Sequence, residues 1–457
     1  MMNNLGNSDY FENTEITSNL PSQDEIRPFN EEELKQFFFK RQFQHHKFAQ
    51  FMLKSYKIKR INGHLHMFDG KVYVGGHNVI ENRMVRHIPF LTDSKRKEVI
   101  KLLEILCLQD YSIIDYCDYI PFNNGVYDIK SDKLLPHSDK LIITNLIPHN
   151  YNKMAYSEPI DNVLNKLSCY DEDIKALLIE AIGYSFYRRN ELSASFFLVG
   201  DKANGKSTYL TMIETLLGQS NTTSLGLEDL TERFYKVMLV GKLACNGDDI
   251  SDNALRGKPL SEFKKLVSGN STLAENKGKD AFTHKPYCKF FFSCNNPPEL
   301  YDPTAAVMRR IVYIPMRAKF TKQDKDYDPY IISKLTSEKS TEYLIQLALV
   351  GLKRVLKNNG FTSSHLSEEA KNQYEEQNNS VLSFVNEKYL EEGESPLSSF
   401  FSKSINEIYD EYFDYCSTNR IEAETRTKFT RTICIRYNMK TQPRRRDGKM
   451  LRCFVPI

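Results

Sequence analysis

The sequence predicts an α/β fold, and three observations predict it. Between residues 192 and 320, apolar strand-like runs alternate with helical patterns, as they do where helices cover a largely parallel sheet. One of those runs, SFFLV, breaks into a glycine-containing loop and then into the helical pattern STYLTMIETLLG. The patterns change on either side: hairpin and helix signals fill the first hundred residues, and helices ending in a basic hairpin close the chain.

Length and composition agree with a multidomain chain. The 457 residues suffice for roughly three domains of ordinary size. Forty per cent hydrophobic content, with 28 Phe and 26 Tyr, supplies their cores. The 62 Lys and Arg against 59 Asp and Glu leave a formal charge of +3. That balance neither requires nor excludes nucleic acid, because a basic channel can sit inside a neutral total. Nine cysteines without a CxxC pair argue against a zinc site and a disulfide framework, and for reduced thiols. With no run of about 18 apolar residues and no apolar leader, the chain is expected to be soluble and cytoplasmic, without a membrane partner.

In chain order, residues 1–27 are rich in Asn, Ser, Asp and Glu and read as a disordered tail. EEELKQFFFKRQFQHHKFAQFMLKSY carries a helical period, HLHMFDGKVYVGG reads as a hairpin turning at Asp69-Gly70, and SKRKEVIKLLEILC as another helix. Together 28–109 form a small α/β module. Short β segments between turn residues fill 119–152, and apolar residues at helical spacing make 160–189 a helical collar, so 110–190 leads into the core. The core spans 191–357, helical after 331. The polar stretch 358–379 reads as a linker, and 380–457 as a last domain.

The chemistry concentrates in the core. Gly200, Asp201, Lys202, Ala203, Asn204, Gly205, Lys206 and Ser207 fit G-x-x-x-x-G-K-[ST] without a mismatch, after a strand and before a helix that Thr208 continues. The glycines let backbone N–H groups turn inward to an anion, and the helix adds its positive end. Lys206 then reaches the β- and γ-phosphates and Ser207 supplies a hydroxyl to Mg²⁺, so ATP and Mg²⁺ are the expected cofactors. VGKLACNGDDIS ends a short apolar segment in two carboxylates, Asp248 for the metal and Asp249 for the lytic water, with the order of the two roles open. YCKFFFSCNNPPEL is a buried strand whose tip offers Asn295 to the γ-phosphate and water.

Basic residues lie between and beyond these motifs. In FKKLVSGNSTLAENKGKDAFTHKP, Lys277, Lys279 and His284 flank Gly278 at an expected hairpin tip, either a solvated turn or a finger on a phosphate backbone. Arg309 and Arg310 precede the apolar strand IVYIP, where they solvate a strand end or point at a neighbouring subunit's γ-phosphate. At the C-terminus, helices followed by a basic hairpin suggest a winged helix. Arg444, Arg445, Arg446, Lys449 and Arg452 then lie on the wing, and Arg426, Lys428 and Arg431 on the recognition helix.

The motifs GDKANGKST, NGDDIS, KGKDAFTHKPYCKFFFSCNNPP and MRRIVYIP, in this order, resemble the superfamily 3 helicases of the AAA+ class. Within that class the chain looks most like the phage, plasmid and poxvirus-type primase-helicases, including replication proteins of phage-related mobile islands, over residues 110–457. The resemblance implies an AAA+ P-loop ATPase core, ATP–Mg²⁺ on Lys206 and Ser207, an acidic pair at Asp248 and Asp249, and a sensor at Asn295. It implies a DNA-gripping hairpin at Lys277 and Lys279, and a trans-acting arginine at Arg310, with Arg309 the alternative. It further implies a ring-shaped hexamer translocating 3′ to 5′ on single-stranded and forked DNA, with partners such as a primase or loader; a winged-helix ending agrees with this group, and whether it selects an origin duplex stays open. Two departures stand out. Only about 110 residues precede the shared segment, too few for a primase domain, and His64, His66 and Asp69 are more simply hairpin residues. Asp249 stands where many P-loop ATPases carry Glu. Two rival readings are a P-loop switch that does not move DNA and a small-molecule kinase; the chain shows no lid-like Arg-rich loop for the latter.

Overall fold

The computed structural model describes residues 27–457 apart from 249–257, 276, 279–280, 299–304, 325–326, 378, 391–397, 420 and 447–448. Among these residues no helix is long and apolar enough to cross a membrane.

The N-terminal module packs helices α1 (His45–Ser55), α2 (His77–His87) and α3 (Asp93–Leu106) on a sheet of β1 (Lys59–Ile61), β2 (His64–Phe68), β3 (Tyr73–Gly75) and β4 (Asp110–Tyr111), in the order β3-β2-β1-β4. Phe48, Met52, Ile80, Met84, Val99 and Leu103 recur at helical spacing and form its core. The β2–β3 hairpin is closed by Asp69, whose Oδ1 accepts the N–H groups of Lys71 and Val72. A meander follows, β5 (Tyr119–Phe122), β6 (Gly125–Asp128) and β7 (Lys133–Leu135). Arg188 fastens it to the collar: its fully buried guanidinium donates to the carbonyls of Tyr116 (2.5 Å) and Tyr119 (2.6 Å).

The collar consists of α4 (Glu158–Leu167) and α5 (Glu172–Tyr184), and α5 packs along the long helix α8 (Glu338–Asn358). A buried carboxylate joins them: Glu180 accepts from Arg354 Nε, from the Thr362 hydroxyl (2.6 Å) and from the Thr362 N–H (2.7 Å).

The core sheet contains β8 (Ser195–Val199), β9 (Thr222–Thr223), β10 (Ala244–Gly247), β13 (Lys289–Cys294) and β14 (Ile311–Pro315), all parallel and ordered β9-β10-β13-β8-β14. Helices α6 (Lys206–Leu217) and α7 (Lys258–Val267) connect the strands, and β11 (Thr272–Ala274) with β12 (Phe282–His284) forms a separate antiparallel hairpin. Both faces of the sheet are covered, which is why its strands read as near-continuous apolar runs such as SFFLV and KFFFSC. Register decides what meets at the sheet's carboxyl edge. Val199 pairs with Cys294 and Gly247 with Phe292, so the residues just beyond, Gly200, Asn295 and Asp248, are brought together.

The polar stretch 358–379, read as a linker, instead holds helix α9 (His365–Gln377). Leu366, Ala370 and Tyr374 repeat every fourth position on its inner face, and Tyr374 is buried, donating to the Pro298 carbonyl at 2.5 Å and lying at a tilt beside the Tyr313 ring. Beyond it, α10 (Ser380–Val385), α11 (Ile405–Asn419) and α12 (Arg426–Arg436) enclose Phe384, Ile408, Tyr412, Phe429 and Ile433. The hairpin β15 (Met439–Arg446) and β16 (Lys449–Pro456) closes this domain through Phe454.

Candidate nucleotide site and basic surfaces

The loop after β8 has a shape that its glycines permit. A Cβ on Gly200 would stand 2.1 Å from the backbone oxygen of Met316, where the chain leaves β14. Gly205 has φ +80°, and its Cβ would meet Leu167 at 2.5 Å. The loop therefore turns tightly between two fixed walls and delivers Lys206 as the first residue of α6. Lys206 Nζ donates to the carbonyls of Gly200 and Asp201 (2.8 Å for the latter) and to Asn295 Oδ1 at 3.3 Å. Asn204 is buried and anchors the loop by donating to the Ala318 carbonyl at 2.6 Å.

Asp248 follows β10 and accepts a hydrogen bond from the Ser293 hydroxyl on β13. One cavity of about 990 Å³ is lined by Lys202, Ala203, Asn204, Gly205, Lys206, Ser207, Thr208, Asp248, Ser293 and Asn295. The predicted phosphate loop, its acidic partner and the asparagine thus share a single space. Asp249 lies outside the described residues.

The cavity also has a second wall that sequence reasoning missed. It comes from α4 and its following turn (Pro159, Asn162, Val163, Lys166, Tyr170) and from the segment after β14 (Phe320, Tyr327, Ile331). Lys166 lies over the Phe320 ring at 4.8 Å and pairs with Asp324 at 3.2 Å. Beside the charged Lys166, Asp324, Asp328 and Lys334, the apolar and aromatic side chains of this wall offer a face to a heterocyclic base.

The basic candidates separate. Lys277 is exposed beside Gly278, whose φ is +78°, at the tip of the β11–β12 hairpin, and Lys279 lies outside the described residues. His284 belongs elsewhere. It pairs with Thr272 at the hairpin's base, its Nε2 is buried without a hydrogen bond, and burial pulls the imidazole down to about 4, so it is neutral at pH 7 and does not face a phosphate. Arg310 also differs from expectation. It is buried in its own subunit, Nε donating to the Ser268 hydroxyl at 2.9 Å, whereas Arg309 is exposed.

In the last domain Arg426 and Arg431 are exposed on α12, while Lys428 is held by Glu424 at 2.7 Å. Arg444 and Arg445 are exposed on successive positions and so point to opposite faces of the hairpin; Lys449 and Arg452 are exposed on its return strand. The backbone of Arg446 pairs with Lys449.

Comparisons with known proteins add to this geometry. Residues 44–169 match a family model described as "D5 N terminal like", and residues 198–310 match "Family of unknown function (DUF5906)". The first match takes in α1 through β4, the meander and α4, beginning just after the strands at 38–43, and the second holds the loop, Asp248 and Asn295. Over 219 residues the chain is 28% identical to a protein of Invertebrate iridescent virus 3 named "Putative helicase 121R", a match taking in 45% of this chain and 23% of the viral protein's length. Its fold is similar to the apo structure of the NrS-1 C-terminal region, with a TM-score of 0.50 at 13% identity over 89% of this chain and 97% of that one. A second form of the same region gives 0.49 at 13% identity.

Proposed function

We propose that this chain is an ATP-dependent DNA helicase that acts as a ring-shaped homo-oligomer, a hexamer, moving 3′ to 5′ on single-stranded DNA during replication of a phage or mobile element. The observation that carries the reading is the shared cavity of Lys206, Ser207, Asp248 and Asn295 at the carboxyl edge of a parallel sheet. Its donor set suits ATP and Mg²⁺: a glycine loop with a lysine, a hydroxyl and a carboxylate for the metal, and a second wall of base-sized apolar surface. The similarity to a viral protein named as a helicase points the same way.

In this mechanism the loop 200–207 cradles the phosphates and Lys206 exchanges its carbonyl partners for phosphate oxygens. Ser207 and Asp248 would hold Mg²⁺, which would neutralise phosphate charge when bound. Asn295, already within reach of Lys206, orients the attacking water, with Asp249 its base. An arginine from the adjacent subunit stabilises the transferring phosphoryl group. We assign that role to Arg309, because Arg310 is committed to Ser268. Lys277 at the hairpin tip grips the strand. The C-terminal domain, read as a winged helix, lays Arg426 and Arg431 and its basic hairpin against duplex DNA, as an origin-binding initiator would.

The test is ATP hydrolysis with and without single-stranded DNA, in wild type and in Lys277→Ala. Stimulation by DNA that the variant loses supports the motor. Hydrolysis indifferent to DNA in both proteins would sink it and favour a nucleotide switch.

A further inference from the structure

The N-terminal module carries a surface that its own fold does not use. Strands Phe38–Phe39 and Gln42–Phe43 form a short hairpin whose two-residue turn is Lys40-Arg41. Both turn residues adopt left-handed backbone, φ 45° and 66°, in a turn that ordinarily takes Asn-Gly. Long cationic side chains are thus held at a tip where small flexible residues fit better, and such local strain tends to mark function.

The faces of this hairpin are aromatic. Phe39 is 61% exposed, with Lys40 Nζ 5.5 Å from its ring centre. On the opposite face Phe38 packs on Phe43 at 5.3 Å and near Phe90, itself 61% exposed, at 6.1 Å. Lys95 stands over both Phe38 and Phe43, at 5.9 and 5.8 Å. Neighbouring carboxylates are engaged elsewhere: Glu33 with Arg27, Asp93 with Lys97 and Glu98 with His45. Glu31 and Glu32 sit in the first turn of their own helix, where its dipole favours them. Exposed rings beside cations, with no carboxylate among the described residues paired to the tip, match the chemistry of an unpaired nucleic-acid strand. Each base offers a π-face to a ring and each phosphate a partner to Lys or Arg.

We propose that the 38–43 hairpin is a single-stranded DNA contact, with a base stacked on Phe39 and the adjoining phosphates on Lys40 and Arg41. The proposal rests on the helicase reading, since it gives the motor a second hold on its strand, outside the β11–β12 hairpin.

The test uses the full chain and a fluorescein-labelled oligo-dT of about 20 nucleotides, a length that spans more than one contact site. Anisotropy titrations at several salt concentrations compare wild type, Phe39→Ala, Phe39→Tyr and Lys40→Glu/Arg41→Glu. Loss of one stacked base predicts about tenfold weaker binding for Phe39→Ala with an unchanged salt slope, and near-normal binding for Phe39→Tyr. The charge reversal should weaken binding and reduce the salt slope by about 1 to 2. Basal ATP hydrolysis should not change, as the hairpin contributes nothing to the nucleotide cavity. Variants that bind oligo-dT like wild type overturn the proposal while leaving the motor intact. Normal DNA binding with loss of a replication-protein partner overturns it in favour of a protein-docking face. A wild type that neither binds oligo-dT nor responds to it in hydrolysis overturns the helicase reading and this contact together.

Discussion

The trans-acting arginine is best tested by mixing two inactive variants. Strand β14 runs parallel to β8, and its end, Pro315, lies beside Val199 at the mouth of the phosphate loop. Arg309 precedes the other end of the strand, so at about 3.3 Å per residue it stands roughly 15–20 Å from its own loop. That is further than an arginine side chain spans, so under the helicase reading the phosphate it serves is a neighbouring subunit's. Lys206→Ala then lacks a working site but still offers Arg309, and Arg309→Ala has the site but offers nothing. Each alone should lose about 100-fold or more of hydrolysis, as removal of a transition-state charge partner does. In an equal mixture, an interface works when an Arg309→Ala subunit supplies the site and a Lys206→Ala subunit supplies the arginine. Random assembly yields that pairing at about a quarter of interfaces, so hydrolysis should recover to about a quarter of wild type. The assay is steady-state phosphate release, with mixed assembly verified by native mass spectrometry. A mixture that assembles yet stays at the level of the single variants refutes the assignment, as does an Arg309→Ala protein that hydrolyses normally.

Two further outcomes follow from buried groups. Glu180→Ala deletes a fully buried carboxylate that holds Arg354 and the N–H and hydroxyl of Thr362. Arg354 is partly exposed and can rehydrate, so the loss should be about 2–4 kcal/mol, read as a lowered urea midpoint; a change below about 1 kcal/mol would show that the pair does not fasten α8 to the collar. His284 titrates near 4 when folded against 6.5 as a free side chain, so between those values the unfolded chain binds the proton that the folded chain refuses. Stability should therefore fall as pH drops from 6.5 to 4, by no more than about 3 kcal/mol from this group, and be indifferent to it above 6.5. Urea titrations of wild type and His284→Gln across that range check it: parallel curves would mean that the imidazole is not buried in solution.

What was legible in the sequence was what local pattern determines. The glycine loop is continuous in sequence, and a strand before it with a helix after it suffices to place Lys206 at a helix start. Asn295 was legible because a buried strand ending in polar residues has its tip at the sheet's edge. Which tip lies beside the loop depends on register, and the pairing of Val199 with Cys294 decides that. The cavity's second wall was not legible, since Lys166 and Phe320 lie far apart in the chain and meet only because α4 and the segment after β14 cross the same loop. Helix α9 was hidden by composition. Its inner face has only Leu366, Ala370 and Tyr374 among polar residues, too few to outweigh a polar stretch. Arg309 and Arg310 differ by one position, and sequence does not say which side of the chain turns inward; Ser268, from a different element, takes Arg310.

The position of Lys289 links these parts. Its buried amino group lies within 2.8 Å of four acceptors, the carbonyls of Tyr187, Arg189 and Tyr287 and Asn190 Oδ1, among which it shares its N–H donors, and so ties the start of β13 to the end of the collar. Asn295 follows the other end of the same strand, about 20 Å away at strand rise. The β11–β12 hairpin enters this strand through 285–288, and its Phe282 touches His64 of the N-terminal module at 5.3 Å. Under the helicase reading, a shift of Asn295 toward a γ-phosphate is a shift of a strand whose far end is fixed. The nucleotide cavity at one end and the β11–β12 hairpin at the other are joined by one run of backbone, and the N-terminal module meets that hairpin through His64 at the tip-side end of its ladder.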